Sequence, residues 1–243
     1  EYVVAALLVL ALRRGESLEG RTMGVVGCGN VGSRVARKAE ALGMKVLRND
    51  PPLQRQTGDA AYVPLDELFG ADFITLHVPL TREGPDATWR MADAGFLRRM
   101  GRHATLLNSS RGAVVEGKAL SEALDKGAIR DAVLDVWENE PDIDFGLAGK
   151  VCLGTPHIAG YSFDGKMNGT RMVYEAACRC FGVEPRWKLE AVAPPTPVAR
   201  LALAAGGRSD EAVLHEAVKA LYDIEADDAA LRAVEDAPAS CRG

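Results

Sequence analysis

The sequence predicts a doubly wound α/β fold, a parallel sheet with helices on both faces, followed by a small, truncated C-terminal α+β appendage. Three features carry that expectation. Six short apolar runs recur after Arg21, at 23–27, 44–49, 73–78, 104–108, 131–136 and 151–154. Helical patterns separate them, and the runs are continuously apolar, as strands covered on both faces must be. A glycine-rich turn, Gly27-Cys28-Gly29-Asn30-Val31-Gly32, closes the first run and opens a helix.

Taken in chain order, "EYVVAALLVLALRRG" reads as an amphipathic or buried helix ending at Arg13-Arg14-Gly15, with cations at its C-terminus and Gly as the stop. It has no basic leader and no small-residue cleavage site, and it is too short to span a bilayer. A chain that begins inside an element, without Met, points to a missing segment upstream. "VGSRVARKAEALG" spaces Val31, Val35, Ala39 and Leu42 as a helix, and "SEALDKG" (121–127) is a second one closed by Gly. Helical periodicity returns over 165–181. Three prolines in "VAPPTPV" (192–198) mark a linker. Beyond it "ARLALAA" is expected as a strand, and "SDEAVLHEAVKALYDI" as a helix with a Ser N-cap and an acidic first turn.

Composition is that of a soluble globular chain, with 47% apolar and 26% charged residues among 243. The net charge of −5, with scattered basic residues, excludes a nucleic-acid surface and a polybasic membrane patch. Five cysteines without CxxC spacing argue against disulfides and a zinc site and for a reducing, cytoplasmic compartment; no metal is expected.

The glycine turn meets the three context requirements of a Rossmann dinucleotide site. A strand precedes it, a helix follows, and Asp50 stands eighteen positions after Gly32, at the end of the second run. Gly27 permits the tight turn, Gly29 lets a pyrophosphate approach the backbone, and Gly32 lets helix and strand pack. The pyrophosphate would rest on the amides around Asn30 and Val31. Asp50 is expected to accept from the adenosine ribose hydroxyls and to favour NAD over NADP, with Arg48 and Arg55 near enough to blunt the preference. A purely structural glycine turn is the bland alternative.

Three polar residues follow the ends of later runs: Arg111, Glu140 and His157. In a doubly wound sheet the carboxyl ends of the strands share one crevice, so residues 29 and 17 positions apart in sequence converge there. Oxidation of a hydroxy acid needs a cation to hold a carboxylate, a base with pKa near neutrality, and a carboxylate to orient that base. Each residue alone has a bland reading: a surface cation, a solvated Glu before Pro, a turn histidine. Their shared place behind a nucleotide motif favours the set. His77 is the second-choice base and the better candidate for a wall of the cofactor site. His103 also lies near a strand end, and His215 is read as structural.

With these residues in place, the chain resembles the D-2-hydroxyacid dehydrogenase superfamily. The resemblance rests on "GVVGCGNVG", "LHVPLT", "NSSRGAVVEGKAL", "LDVWENEP" and "TPHIAG", in order over about residues 20–182. It implies that Arg111 binds the substrate carboxylate and carbonyl, that Glu140 pairs with the imidazole, and that His157 moves the proton. It also implies that Asp135 sits by the nicotinamide, with Val78, Ser109 and Gly160 lining the cofactor. Four further stretches, "NDPP", "PLTREGPDATW", "HIAGYSFDGKMNGT" and "LYDIEADDAALR", resemble the branch that oxidises a phosphorylated four-carbon hydroxy acid on the way to pyridoxal phosphate. Tyr161 would then contact the substrate, at its phosphate end.

The resemblance divides the chain into an NAD-binding domain with inter-lobe helices (1–182), a linker (183–197) and part of a dimerisation-type domain (198–243). Most of the substrate lobe would precede residue 1, and the full-length protein would be a homodimer. Two rivals stand beside this reading. One is another 2-hydroxyacid dehydrogenase, such as one for phosphoglycerate; the other is a non-catalytic, NADH-sensing chain on the same scaffold.

Overall fold

The computed structural model describes residues 1–188, 198 and 200–235. Six parallel strands form one sheet: β1 (Thr22–Val26), β2 (Lys45–Asn49), β3 (Phe73–Leu76), β4 (Thr105–Asn108), β5 (Asp131–Leu134) and β6 (Leu153–Gly154), in the order β2-β1-β3-β4-β5-β6. A single parallel bridge between Arg48 and Tyr62 adds a residue of pairing outside β2. The order reverses beside β1, between it and β3, which is where such sheets open a crevice at the carboxyl ends of their strands.

Adjacent strand residues face opposite sides, so each strand feeds two cores. Val25, Phe73, Leu107, Val133 and Leu153 belong to one cluster, with α1 (Tyr2–Arg14) and α2 (Gly32–Ala41). Val26, Ile74, Leu106, Ala132 and Leu134 belong to the other, with α4 (Ala94–Arg99) and α5 (Gly117–Asp125). Nine of the thirteen α1 residues are buried, and the helix stops at Gly15 with φ 63°. Of the two readings of the opening segment, the buried helix is the one found.

Three short α-helices escaped the sequence patterns. These are α3 (Pro51–Thr57), α4 and α6 (Phe145–Ala148), capped by the side chains of Asp50, Asp93 and Asp144. The long α7 (Phe163–Phe181) is N-capped by Ser162 and buries only Cys178 among its residues.

The appendage differs from expectation in two ways. Residues 200–205 form no strand, residue 199 lying outside the described residues. A strand needs an edge to join, and that of β6 is two residues long, with its Gly154 N–H taken by the Asp228 side chain. The single helix expected over 209–224 is two, α8 (Asp210–Lys219) and α9 (Ile224–Ala233). Asp223 causes the break, because its carboxylate accepts the backbone N–H groups of Glu225 and Ala226 and starts a new helix. Ser209 caps α8 as expected. Ile224 and Leu231 enter the two cores of the main sheet, so α9 shares their apolar interior. The prolines of the linker and Cys241 lie outside the described residues.

Candidate active site

The glycine turn follows β1 at the reversal of strand order. Gly27 takes φ 85°, and a Cβ there would lie 2.7 Å from the His77 carbonyl oxygen, so only glycine lets β1 turn this close to β3. At Gly32 a Cβ would lie 1.9 Å from the Gly27 carbonyl oxygen, which closes helix onto strand. Gly29 is the opposite case: a Cβ there meets no protein atom within 4 Å. Among the described residues the amides of Gly29, Asn30 and Val31 donate to no protein acceptor. Three free N–H groups at the start of a ten-residue helix suit a pyrophosphate.

Asp50 sits at the end of β2 with two backbone partners: Cys28 N–H at 2.7 Å to Oδ2 and Leu53 N–H at 3.0 Å to Oδ1. Each oxygen keeps a lone pair for a ribose hydroxyl. Burial, with the Asp50 charge beside it, pushes the Cys28 thiol up to about 11, so it stays neutral. Arg48 is paired with Glu40 and Arg55 with Asp86, so neither cation is free to draw a 2′-phosphate. The residues fit NAD.

His157 and Glu140 meet: Nδ1 lies 2.7 Å from Oε2, with the side chains 47% and 30% exposed. The other oxygen of Glu140 accepts the Trp137 N–H at 2.7 Å, which fixes the carboxylate. His157 has φ 58°, a left-handed conformation that a histidine adopts at a cost, and its N–H donates to the Asp135 carbonyl at 2.7 Å. Among the described residues Nε2 has no protein partner.

Asp135 is 1% exposed and lies under this loop. Oδ1 accepts from the Thr155 hydroxyl at 2.6 Å and the Ile158 N–H at 2.8 Å, and Oδ2 accepts from the Ala159 N–H at 2.9 Å. Its carboxylate is therefore mainly a template for residues 155–159, with one lone pair to spare on Oδ2.

Arg111 begins the turn after β4. Asn108 builds that turn, donating to the Arg111 carbonyl at 3.0 Å and accepting from the N–H and hydroxyl of Ser110. The guanidinium is exposed and donates to the Ser110 carbonyl at 2.7 Å, without contact to Glu140 or His157. What joins the two loops is Gly112, where a Cβ would lie 1.8 Å from the Trp137 carbonyl oxygen.

Tyr161 is 70% exposed, and the Lys166 Nζ lies 3.2 Å from its ring centroid. The ammonium holds the Tyr161 hydroxyl below its ordinary pKa. Val78 and Ser109 are half-buried beside the glycine turn and the Arg111 turn, and Gly160 is exposed with no atom within 4 Å of a built Cβ.

His77 bonds Thr75 Oγ1 through Nε2 at 2.9 Å, and burial lowers its pKa to about 4, which suits a neutral wall better than a base. His103 is exposed, and His215, on α8, is half-buried on the side of α1.

Four positioning residues carry no sequence signal of their own: Tyr2, Asn108, Trp137 and Thr155. Tyr2 Oη lies 2.8 Å from Thr155 Oγ1, and Trp137 Nε1 donates to the Thr155 carbonyl at 3.0 Å. Asn108, Trp137 and Thr155 belong to stretches with a family resemblance; Tyr2 is 153 positions from its partner, beyond any local pattern.

Known proteins resemble this chain in sequence and fold. A family model described as D-isomer specific 2-hydroxyacid dehydrogenase, NAD binding domain, matches residues 10–159. The chain is 52% identical over 245 aligned positions to the erythronate-4-phosphate dehydrogenase of Salinibacter ruber, an alignment covering 96% of this chain and 61% of that protein. To the protein of the same name from Escherichia coli it is 44% identical, covering 98% and 63%. Among solved structures, the D-lactate dehydrogenase from Aquifex aeolicus complexed with NAD and lactic acid superposes with TM-score 0.59 at 28% identity, over 74% of this chain and 66% of that one. The chain spans about three fifths of the length of the curated relatives it matches.

Proposed function

The chain belongs to the D-isomer specific 2-hydroxyacid dehydrogenase family, and on that premise we propose that the protein oxidises 4-phospho-D-erythronate to 3-hydroxy-2-oxo-4-phosphooxybutanoate with NAD, as a step of pyridoxal phosphate synthesis. The observation that carries the reaction is the 2.7 Å bond between His157 and Glu140, which leaves Nε2 free to take a proton. The substrate follows from the likeness to the Salinibacter ruber protein.

Bound NAD supplies the acceptor for the C2 hydride. His157 Nε2 takes the C2 hydroxyl proton as that hydride leaves. The Glu140 carboxylate offsets the positive charge that forms on the ring and keeps Nδ1 protonated. Arg111 turns from the Ser110 carbonyl to hold the substrate carboxylate in bidentate fashion and to polarise the forming C2 carbonyl. Tyr161, with Lys166 over its ring, offers a hydroxyl and a cation to the phosphate end. The amides of Gly29, Asn30 and Val31 would hold the pyrophosphate, with Gly27 and Gly32 shaping the turn. Asp50 would hold the ribose, and Val78, Ser109, Asp135 and Gly160 would line the nicotinamide side. The reading includes a cytoplasmic homodimer, which sedimentation of the purified protein checks.

The test is NAD reduction by the full-length protein with 4-phospho-D-erythronate, D-3-phosphoglycerate and D-lactate. Preference for the first supports the proposal. Preference for the second moves the protein to another branch of the family. NADH binding without turnover of any hydroxy acid leaves a cofactor-binding protein. In an active protein, His157→Ala should abolish turnover while NADH binding persists; loss of binding instead removes His157 from the role of base.

A further inference from the structure

The stretch "LYDIEADDAALR" lies outside the crevice in sequence, yet α9 carries two of its charges into the fold. Asp228 is 9% exposed, and its Oδ1 accepts the Gly154 N–H at 2.7 Å in a buried bond. One turn later, Arg232 binds both oxygens of that carboxylate, at 3.0 Å from Nε to Oδ2 and 2.8 Å from Nη2 to Oδ1. The same guanidinium donates to the Ala148 carbonyl at 2.6 Å and the Val151 carbonyl at 3.0 Å. The pair thus grips the chain before β6 by its carbonyls and at the end of β6 by its amide.

This matters because β6 is two residues long, is the outermost strand, and leads directly into Thr155-Pro156-His157. Its inner edge is held by β5. On the outer edge the Gly154 N–H would face water without Asp228. At Gly154 a Cβ would lie 3.0 Å from the Trp137 ring, so the strand has little room to shift inward. With Asp228 buried and the Arg232 side chain 34% exposed, the ion pair adds little net stability; what it adds is a fixed position for the groups it binds.

We propose that Asp228, oriented by Arg232, is a positioning residue for His157: the appendage clamps β6 from outside and so sets the register of the 155–159 loop against Glu140. The inference rests on the dehydrogenase reading for its kinetic arm only.

In the full-length protein, Asp228→Ala should lower kcat by about tenfold to a hundredfold at a temperature where the variant is folded, since small misplacements of a reacting group carry losses of that order. The KM for NAD should change far less than kcat, because Asp50 and the glycine turn lie at the other end of the crevice. Asp228→Asn keeps an oxygen for the Gly154 N–H and should restore most of kcat. A folded Asp228→Ala with wild-type kcat overturns the proposal, as does a loss of NAD affinity equal to the loss in kcat. If the alanine variant does not fold, Asp228→Glu keeps the charge and moves the oxygen by one methylene; it should lower kcat too, and a wild-type kcat there overturns the proposal.

Amide hydrogen exchange gives a second arm that needs no substrate. Gly154, His157, Ile158 and Ala159 should exchange faster in the variant than in the wild type, and unchanged protection overturns the proposal. Faster exchange at these amides in a protein inactive on every hydroxy acid supports the clamp and sinks the dehydrogenase reading.

Discussion

Glu140 holds His157 Nδ1 through Oε2 at 2.7 Å while its Oε1 is held by the Trp137 N–H at the same distance, so one carboxylate ties the imidazole to the end of β5. Replacing it by Gln keeps the shape and one acceptor but removes the charge that offsets a protonated ring. Glu140→Gln should lower kcat by about 10² and leave NADH affinity intact, since acid–base groups contribute about 10² to 10⁴ in rate. Stopped-flow turnover beside NADH titration checks this. A matching loss of NADH affinity would mean that Glu140 shapes the cofactor site instead.

Gly112 governs the distance between the loops that carry Arg111 and Glu140. A Cβ would stand 1.8 Å from the Trp137 carbonyl oxygen and 2.7 Å from the Glu138 amide, both backbone atoms with nowhere to retreat. Gly112→Ala should therefore cost about 1–3 kcal/mol of stability by overpacking and lower kcat further by parting Arg111 from Glu140. Urea unfolding with kinetics below the transition separates the two effects. Wild-type stability in the variant would show that the loops are not in contact in solution.

How much of this was legible in the sequence depends on the range of each signal. The six strands of the sheet, the glycine turn and the cap at Ser209 are local patterns, and they fall where the sequence puts them. Arg111, Glu140 and His157 were legible as strand-end residues, but only the last two touch. Tyr2 on Thr155 and Asp228 on Gly154 join positions 153 and 74 apart, and no periodicity records such bonds. The expected strand near residue 201 shows the converse failure. Its residues are apolar, but Leu201 is 44% exposed, and at the β6 edge the Gly154 N–H is already taken by Asp228.

Asp50 has a structural task beside its proposed place on the ribose. Its two oxygens hold the Cys28 N–H of the glycine turn and the Leu53 N–H of α3. Asp50→Ala should lower stability without cofactor by about 1–2 kcal/mol, the cost of a lost N-cap with a second orphaned amide. It should also narrow the preference for NAD over NADP. Thermal melts without nucleotide check the first effect and kcat/KM for the two nucleotides the second. An unchanged nucleotide ratio removes Asp50 from the ribose, and an unchanged melt removes it from the turn.

His77 sets the acid side of stability. It ends the run of β3, its N–H donates to the Val26 carbonyl at 2.7 Å, and burial lowers its pKa from 6.5 to about 4. A histidine that is neutral when folded and protonates more readily when unfolded stabilises the fold fully above about pH 6.5. Between about pH 6.5 and about pH 4 the unfolded state binds more protons, so this contribution falls as pH falls, and it is gone below about pH 4. The drop is worth at most about 3 kcal/mol. Carboxylates held below their ordinary values, such as Asp72 beside Arg21 and Glu211 beside Ser17, add their losses at lower pH. The His77 effect is therefore separable. Unfolding by urea at about pH 7, 5.5 and 4.5 should show a shallower decline for His77→Gln than for the wild type. Parallel slopes for the two proteins would mean that the imidazole is open to water and that the wall of the crevice beside Gly27 is not closed.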